Sequence, residues 1–185
     1  SIHHVDLIRY LAGPVARVNA TMRTLGADIE VEDTVAATIQ FDGDAIGVIE
    51  ATTAARPDDF EASLAIVGAK GLAQIGGIAV NELQVFAPDP DACAENSEDF
   101  QGIRGAGAVY GHGHTQMYRD IVAFFICVSP YPVSREDCLG TLKLLHAFYR
   151  SDEAGGWVDV DSEDESPRLG RADEAVSDFY RTPPR

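Results

Sequence analysis

The tightest constraint in this sequence is a succession of short β-forming runs joined by connections too brief to hold a helix. Thr34–Phe41 (TVAATIQF) and Ala45–Ala51 (AIGVIEA) flank Asp42-Gly43-Asp44. A glycine at the tip of so short a connection is the signature of a β-hairpin. Phe60–Val67 (FEASLAIV) alternates apolar with polar, turns at Gly68-Ala69-Lys70-Gly71 and continues as Leu72–Ile75, and Asn81–Ala87 adds another run. With Val15–Leu25 before them, these predict about six strands in one sheet. Parallel neighbours need crossover connections of a dozen or more residues, so the sheet is expected to be mainly antiparallel.

Helical periodicity lies outside the strand region. Residues 1–15 (SIHHVDLIRYLAGPV) place Val5, Ile8 and Leu11 three apart, and Gly13-Pro14 supplies a helix stop. His114–Val128 predicts a second helix, with Met117, Ile121, Phe124 and Phe125 on its buried side and Ser129-Pro130 closing it. Ser134, with Asp137 three residues on, predicts the start of a third, running through Leu139, Leu142, Leu145 and Phe148 to about Ser151. Between sheet and helices, residues 88–113 are acidic and then glycine-rich, the composition of a long binding loop or lid. After Gly155-Gly156, residues 157–160 read as a short edge strand or a docked tail. Residues 161–185 are charged and poor in large apolar groups, as an extended tail is. Helices segregated from strands make an α+β domain over residues 1–160, an open sheet with helices on one face. The other face is available to a second subunit.

Composition narrows the partners. Asp and Glu number 30 against 14 Lys and Arg, giving a net charge of −16, and only two lysines occur, Lys70 and Lys143. Such a surface repels nucleic acid phosphates and anionic membranes. It is also the kind of surface that stays hydrated in concentrated salt, which suggests a salt-adapted, halophilic protein, the alternative being an ordinary acidic one. Three cysteines, Cys93, Cys127 and Cys138, are odd in number and lack CxxC spacing, which points to the reduced thiols of a cytoplasmic protein. Cys127 and Cys138 lie in apolar helical surroundings and are expected in the core. No apolar run is long enough to span a bilayer.

Two clusters have side chains suited to chemistry. His3 and Asp6 are three apart and fall on one helix face. A histidine changes protonation near neutral pH, and a neighbouring carboxylate can orient it as a general base or instead fix the helix in its surroundings. Spacing alone leaves open whether His3 acts or is simply a polar residue at a helix start. The second cluster is Tyr110-Gly111-His112-Gly113-His114, followed by Tyr118, Arg119 and Asp120. Glycines let the backbone approach a ligand, and a helix start beside His114 favours anions. Tyr110, His114, Tyr118 and Asp120 are therefore the candidate ligand contacts, suited to sugar hydroxyls, carboxylates or phosphates. His112-x-His114 without a further ligand at standard spacing does not define a metal site. The glycines at 102, 105, 107, 111 and 113 do not form G-x-G-x-x-G, so no nucleotide-binding fingerprint is present.

The residues quoted carry a family resemblance. Ile2-His3-His4-Val5-Asp6-Leu7 running into Tyr10-Leu11-Ala12-Gly13-Pro14-Val15 resembles the I-H-x-x-D-L…L-G-P-V segment of the glucose–fructose oxidoreductase/inositol dehydrogenase/MocA family. Val67-Gly68-Ala69-Lys70-Gly71 resembles that family's V-x-G-x-x-G hairpin, and Leu142–Trp157 resembles its closing helix. Tyr110–Asp120 is similar to the branch that oxidises UDP-N-acetylaminoglucuronates. The resemblance spans residues 1–160. It implies the C-terminal, dihydrodipicolinate reductase-like domain, whose sheet forms a substrate pocket and an oligomer interface. It also implies oxidation of a sugar, nucleotide-sugar or cyclitol hydroxyl with NAD or NADP, and His3 as the residue that takes the hydroxyl proton.

The family's Rossmann domain, its E-K-P lysine and the position four before His3 are not in this chain. On the resemblance, this is one domain of a longer oxidoreductase, inactive and without cofactor by itself. The competing expectation is a non-catalytic module for sheet-mediated dimerisation or sugar sensing. The acidic surface generates a direct test. Lowering salt from molar concentration to dilute buffer should reduce the urea midpoint, and an unchanged midpoint contradicts salt adaptation.

Overall fold

The computed structural model describes residues 2–57, 61–77, 80, 82–100 and 113–171. The chain divides into two compact units. One comprises the segments up to Arg56 and from Arg135 onward; the other is Pro57–Ser134.

The first unit begins with helix α1, Ile2–Ala12, followed by strands β1, Val15–Arg23, β2, Thr34–Phe41, and β3, Ile46–Thr52. It is completed by helix α4, Arg135–Ala154, and the two-residue strand β7, Val158–Asp159. The sheet order is β3-β2-β1-β7, antiparallel throughout. Register puts Val18 opposite Ile39 and Ala20 opposite Ala37, and these, with Met22, Phe41 and Ile49, form the buried face. Val5 and Ile8 of α1 and Leu144, Ala147 and Phe148 of α4 complete this core. α1 ends as its sequence predicts: Gly13 takes φ +95° and its N–H donates to the Arg9 carbonyl at 3.0 Å.

α4 has a different buried face from the one its leucines suggest. Leu139 and Leu142 are exposed, whereas Thr141, Leu144, Phe148 and Ser151 are buried. The polar members are buried because they bond. Among the described residues, β1 pairs with β7 at Arg17 and Val18, and no strand neighbours the edge beyond. The Ala20 N–H there donates to Ser151 Oγ at 2.8 Å and the Met22 N–H to Asp152 Oδ1 at 3.0 Å. Ser151 in turn donates to the Gly156 carbonyl at 2.6 Å. Side chains of α4 thus replace the missing ladder.

The β1–β2 connection is built around Asp33. Its carboxylate accepts the N–H groups of Leu25, Gly26 and Ala27 at 2.7–2.9 Å and the Thr34 hydroxyl at 2.9 Å. Gly26 is required there, since a Cβ would stand 2.6 Å from that of Ala54. In the β2–β3 hairpin, Asp44 rather than Gly43 takes the left-handed conformation, at φ 67°.

The second unit contains β4, Leu64–Gly68, β5, Gly71–Gly76, and β6, Glu82–Phe86, as a separate antiparallel sheet, together with helices α2, Asp91–Phe100, and α3, Gly113–Phe125. The strands expected as one sheet are therefore bonded, among the described residues, as two. The connection from β3 to β4 contains Arg56-Pro57 and is too long for a hairpin, so nothing forces those strands to pair. The acidic segment expected as loop is helical over α2. Asp91 complements the helix start, and Ala92 N–H bonds to the Asp89 carbonyl at 3.2 Å.

Residues 161–171, expected as the start of an extended tail, have neither helix nor strand but are bonded to α4. Ser166 N–H donates to His146 Nδ1 at 3.1 Å, Ser166 Oγ to Glu153 at 2.7 Å, and Arg168 to the buried Asp152 at 2.8 Å.

Burial alone would raise the carboxyl pKa of Asp33, but three backbone amides and Thr34 outweigh it and lower the value from 3.8. An unfolded chain therefore takes up this proton first as pH falls. The stabilisation is complete above about pH 4 and is lost below it. Asp33→Asn should flatten the acid limb of stability against pH, read by urea unfolding from pH 5 to pH 2; an unchanged limb contradicts this role.

Candidate functional site

His3 lies in the first turn of α1 and is exposed. Asp6, one turn on, is not its hydrogen-bond partner. Asp6 Oδ1 instead accepts the Thr141 hydroxyl of α4 at 2.6 Å. Of the two roles open to Asp6, the structure shows the one that fixes the helix. Thr141 Oγ also accepts from Arg9 Nη1 at 2.8 Å, and the same nitrogen donates to the Asp137 carbonyl at 3.1 Å. Arg9 stands 4.0 Å from Asp6 and 3.8 Å from the Asp137 carboxylate. His4 is half-buried, and burial first, then the charge of neighbouring His3, lowers its pKa. His3 is thus the histidine of the pair that faces solvent, on a helix tied to α4 through Asp6 and Arg9.

The second cluster lies on α3, in the other unit. His114 and Tyr118 are exposed and one turn apart, hence neighbours on one helix face. Asp120 is half-buried, two residues beyond Tyr118 and so turned from it, and accepts from Gln116 Nε2 at 2.8 Å. Tyr110 and His112 lie outside the described residues.

Beyond Tyr118 the helix carries an apolar stripe. Tyr118, Val122, Ala123, Ile126 and Val128 line a shallow groove with Arg119. The face expected to be buried is instead open, with Phe124 48% and Phe125 76% exposed. Cys127, expected in the core, is exposed at the end of this helix with φ 58°. The N–H of Cys127 bonds to the Phe124 carbonyl and that of Val128 to the Ala123 carbonyl, at 3.0 and 2.9 Å, the pairing that usually recruits a glycine. Cys138, also expected in the core, is exposed on α4.

Sequence reasoning missed Arg9 and Thr141. The available signal was a hydroxyl at 141 on the stripe that Leu144, Phe148 and Ser151 continue, with Arg9 one turn past Asp6. A cleft of about 140 Å³ between α4 and the sheet, lined by Val5, Met22, Ile49 and Phe148, also carries Glu32 and Tyr149. The Tyr149 hydroxyl donates to Glu32, and burial, with the Glu32 carboxylate, raises its pKa against the opposing charge of Arg168. The guanidinium of Arg168 lies 5.5 Å from the Tyr149 ring centroid. These contacts give the polar side of the cleft a structural account.

Comparison with known proteins follows the same lines. Residues 1–74 match the profile of the GFO/IDH/MocA C-terminal domain. Comparison with curated proteins finds no match. Among solved structures, the chain is similar to the WlbA dehydrogenase of Bordetella pertussis in complex with NADH and UDP-GlcNAcA, at 33% identity and a TM-score of 0.78. That match covers 88% of this chain and 46% of the other. The Chromobacterium violaceum WlbA dehydrogenase, in complex with the same two molecules, is 33% identical over 88% of this chain and 44% of its own, at a TM-score of 0.73. A levoglucosan dehydrogenase in complex with NADH and L-sorbose shares the fold at 23% identity and a TM-score of 0.64, over 87% of this chain and 48% of its own. The chain thus spans slightly less than half the length of each. It belongs to the GFO/IDH/MocA family as a C-terminal domain.

The β6–α2 junction does not fit the pyrophosphate of a dinucleotide. The strand that leads directly into a helix among the described residues, β6 into α2, does so through Pro88-Asp89-Pro90-Asp91. Two prolines without N–H groups and two carboxylates offer a pyrophosphate few donors and no attraction.

Proposed function

We propose that this chain is the substrate-binding and oligomerising half of a longer NAD- or NADP-dependent dehydrogenase that oxidises a hydroxyl of a sugar, nucleotide-sugar or cyclitol. The observation that carries the reading is His3 exposed at the start of a helix that belongs to the segment matching the family, while Asp6 and Arg9 of the same helix are tied to α4. The two WlbA dehydrogenases, crystallised with NADH and UDP-GlcNAcA, make a nucleotide-linked sugar acid the first substrate class to test.

In such an oxidation the substrate carbon loses hydride and its hydroxyl loses a proton. The nicotinamide held elsewhere in the whole enzyme supplies the hydride acceptor. This chain's share is the proton, taken by the His3 imidazole, together with orientation of the substrate. Tyr110, His114, Tyr118 and Asp120 are the residues proposed to contact it, through hydroxyl, imidazole and carboxylate hydrogen bonds. By itself the chain is inactive and binds no cofactor.

The assembly proposed is a homo-oligomer formed through the open face of the four-stranded sheet. Ile46 and Val48 of β3 are 79% and 74% exposed there, beside Arg17, Thr21 and Thr38 of the neighbouring strands. A cytoplasmic, salt-rich setting accords with the acidic surface. Among the described residues no helix is long and apolar enough to cross a membrane.

The test is His3→Ala in the whole enzyme, with UDP-GlcNAcA and NAD as first probes. Loss of a positioned general base should lower kcat by about 10²–10⁴-fold and leave NAD affinity unchanged. Turnover at the wild-type rate removes His3 from the chemistry.

A further inference from the structure

The hydrogen-bond chain that joins α1 to α4 has a defined direction. Arg9 can only donate and an ionised Asp6 can only accept, so the Thr141 hydroxyl between them receives from Arg9 at 2.8 Å and must point its proton at Asp6, 2.6 Å away. Thr141 is buried at 5% exposure, and the Arg9 side chain is 17% exposed. Arg9 is also held by the Asp137 carbonyl at 3.1 Å. Gly140 makes room for this arrangement, since a Cβ there would stand 2.7 Å from Arg9 Cζ and closer still to Nη2.

Apolar packing of Val5 and Ile8 chooses which side of α1 is buried, but it is non-directional and sets the helix's rotation about its axis only loosely. Two side-chain hydrogen bonds along one flank, at Asp6 and Arg9, set that rotation. His3 lies one turn before Asp6 on the same flank, about 4.5 Å along the axis. Its direction therefore depends on the same bonds.

Building on the dehydrogenase reading, we propose that Thr141, Arg9 and Gly140 are positioning residues for His3: the Arg9–Thr141–Asp6 chain sets the roll of α1 and so the aim of the imidazole. None of the three needs to touch substrate. A misplacement of about 1 Å at a reacting group can lower a rate by about 10²-fold, so a small roll suffices to matter.

Three substitutions separate positioning from bulk stability. Thr141→Val keeps the shape and removes the hydroxyl, Thr141→Ser restores it, and Gly140→Ala displaces the Arg9 guanidinium while adding a better helix former to α4. In the whole enzyme, with UDP-GlcNAcA and NAD as probes, Thr141→Val and Gly140→Ala should lower kcat at least about tenfold with the KM for NAD unchanged, and Thr141→Ser should stay within about threefold of wild type.

In the 185-residue chain, amide hydrogen exchange over residues 2–12 should quicken at least about tenfold in Thr141→Val, with the sheet amides unchanged. Wild-type exchange over α1, or Thr141→Ser as impaired as Thr141→Val, overturns the proposal. His3→Ala is measured alongside. If that variant turns over normally, the part of the dehydrogenase reading that gives His3 the proton fails, and the exchange result still decides whether the clamp orders α1.

Discussion

The first unit depends on how the edge of β1 is closed. β1 is paired along its length with β2, but on its other side β7 reaches only Arg17 and Val18. Beyond that point Ser151 and Asp152 of α4 take the N–H groups of Ala20 and Met22. An unpaired, buried N–H costs about 1–3 kcal/mol, so these bonds hold α4 in register with the strand. Through Thr141, α4 then carries α1 and, with it, His3. Through Asp152 and His146 it also holds residues 161–171. One helix therefore links the sheet, the histidine-bearing helix and the chain beyond β7.

The same arrangement explains which parts of the fold were legible in the sequence. Local signals read well: Gly13 as the end of α1, the Asp42–Asp44 hairpin and the start of α4 after Ser134 are decided by a few consecutive residues. Features decided by distant partners did not. Thr141 and Ser151 look like helix-surface residues until β1 and α1 are placed against them, and Leu139 and Leu142 look buried for the complementary reason. α2 was missed because its acidic residues suggest solvated coil, although Asp91 suits a helix start. The apolar side of α3 was correctly seen as apolar and wrongly taken as covered. Hydrophobicity reports a preference for burial, not the presence of something to bury against. The two-sheet arrangement follows the same logic, since runs of strand residues do not state which strands bond.

The candidate site was legible to a similar extent. His3 stood out by residue type and spacing, and its exposure agrees with a reactive role. Asp6 was assigned two roles from spacing, and only the coordinates of Thr141 decide between them. His114 and Tyr118 do share a helix face, while Asp120 turns away and is engaged with Gln116. The proposed division of labour gives this chain a proton acceptor and groups that contact a polyhydroxylated ligand, and its β6–α2 junction has prolines and carboxylates that disfavour a pyrophosphate.

That division is the central claim, and calorimetric titration of the 185-residue chain with NADH tests it most directly. The account predicts no saturable binding of NADH at concentrations that saturate the whole enzyme. Saturable, stoichiometric binding of NADH to the chain would contradict it.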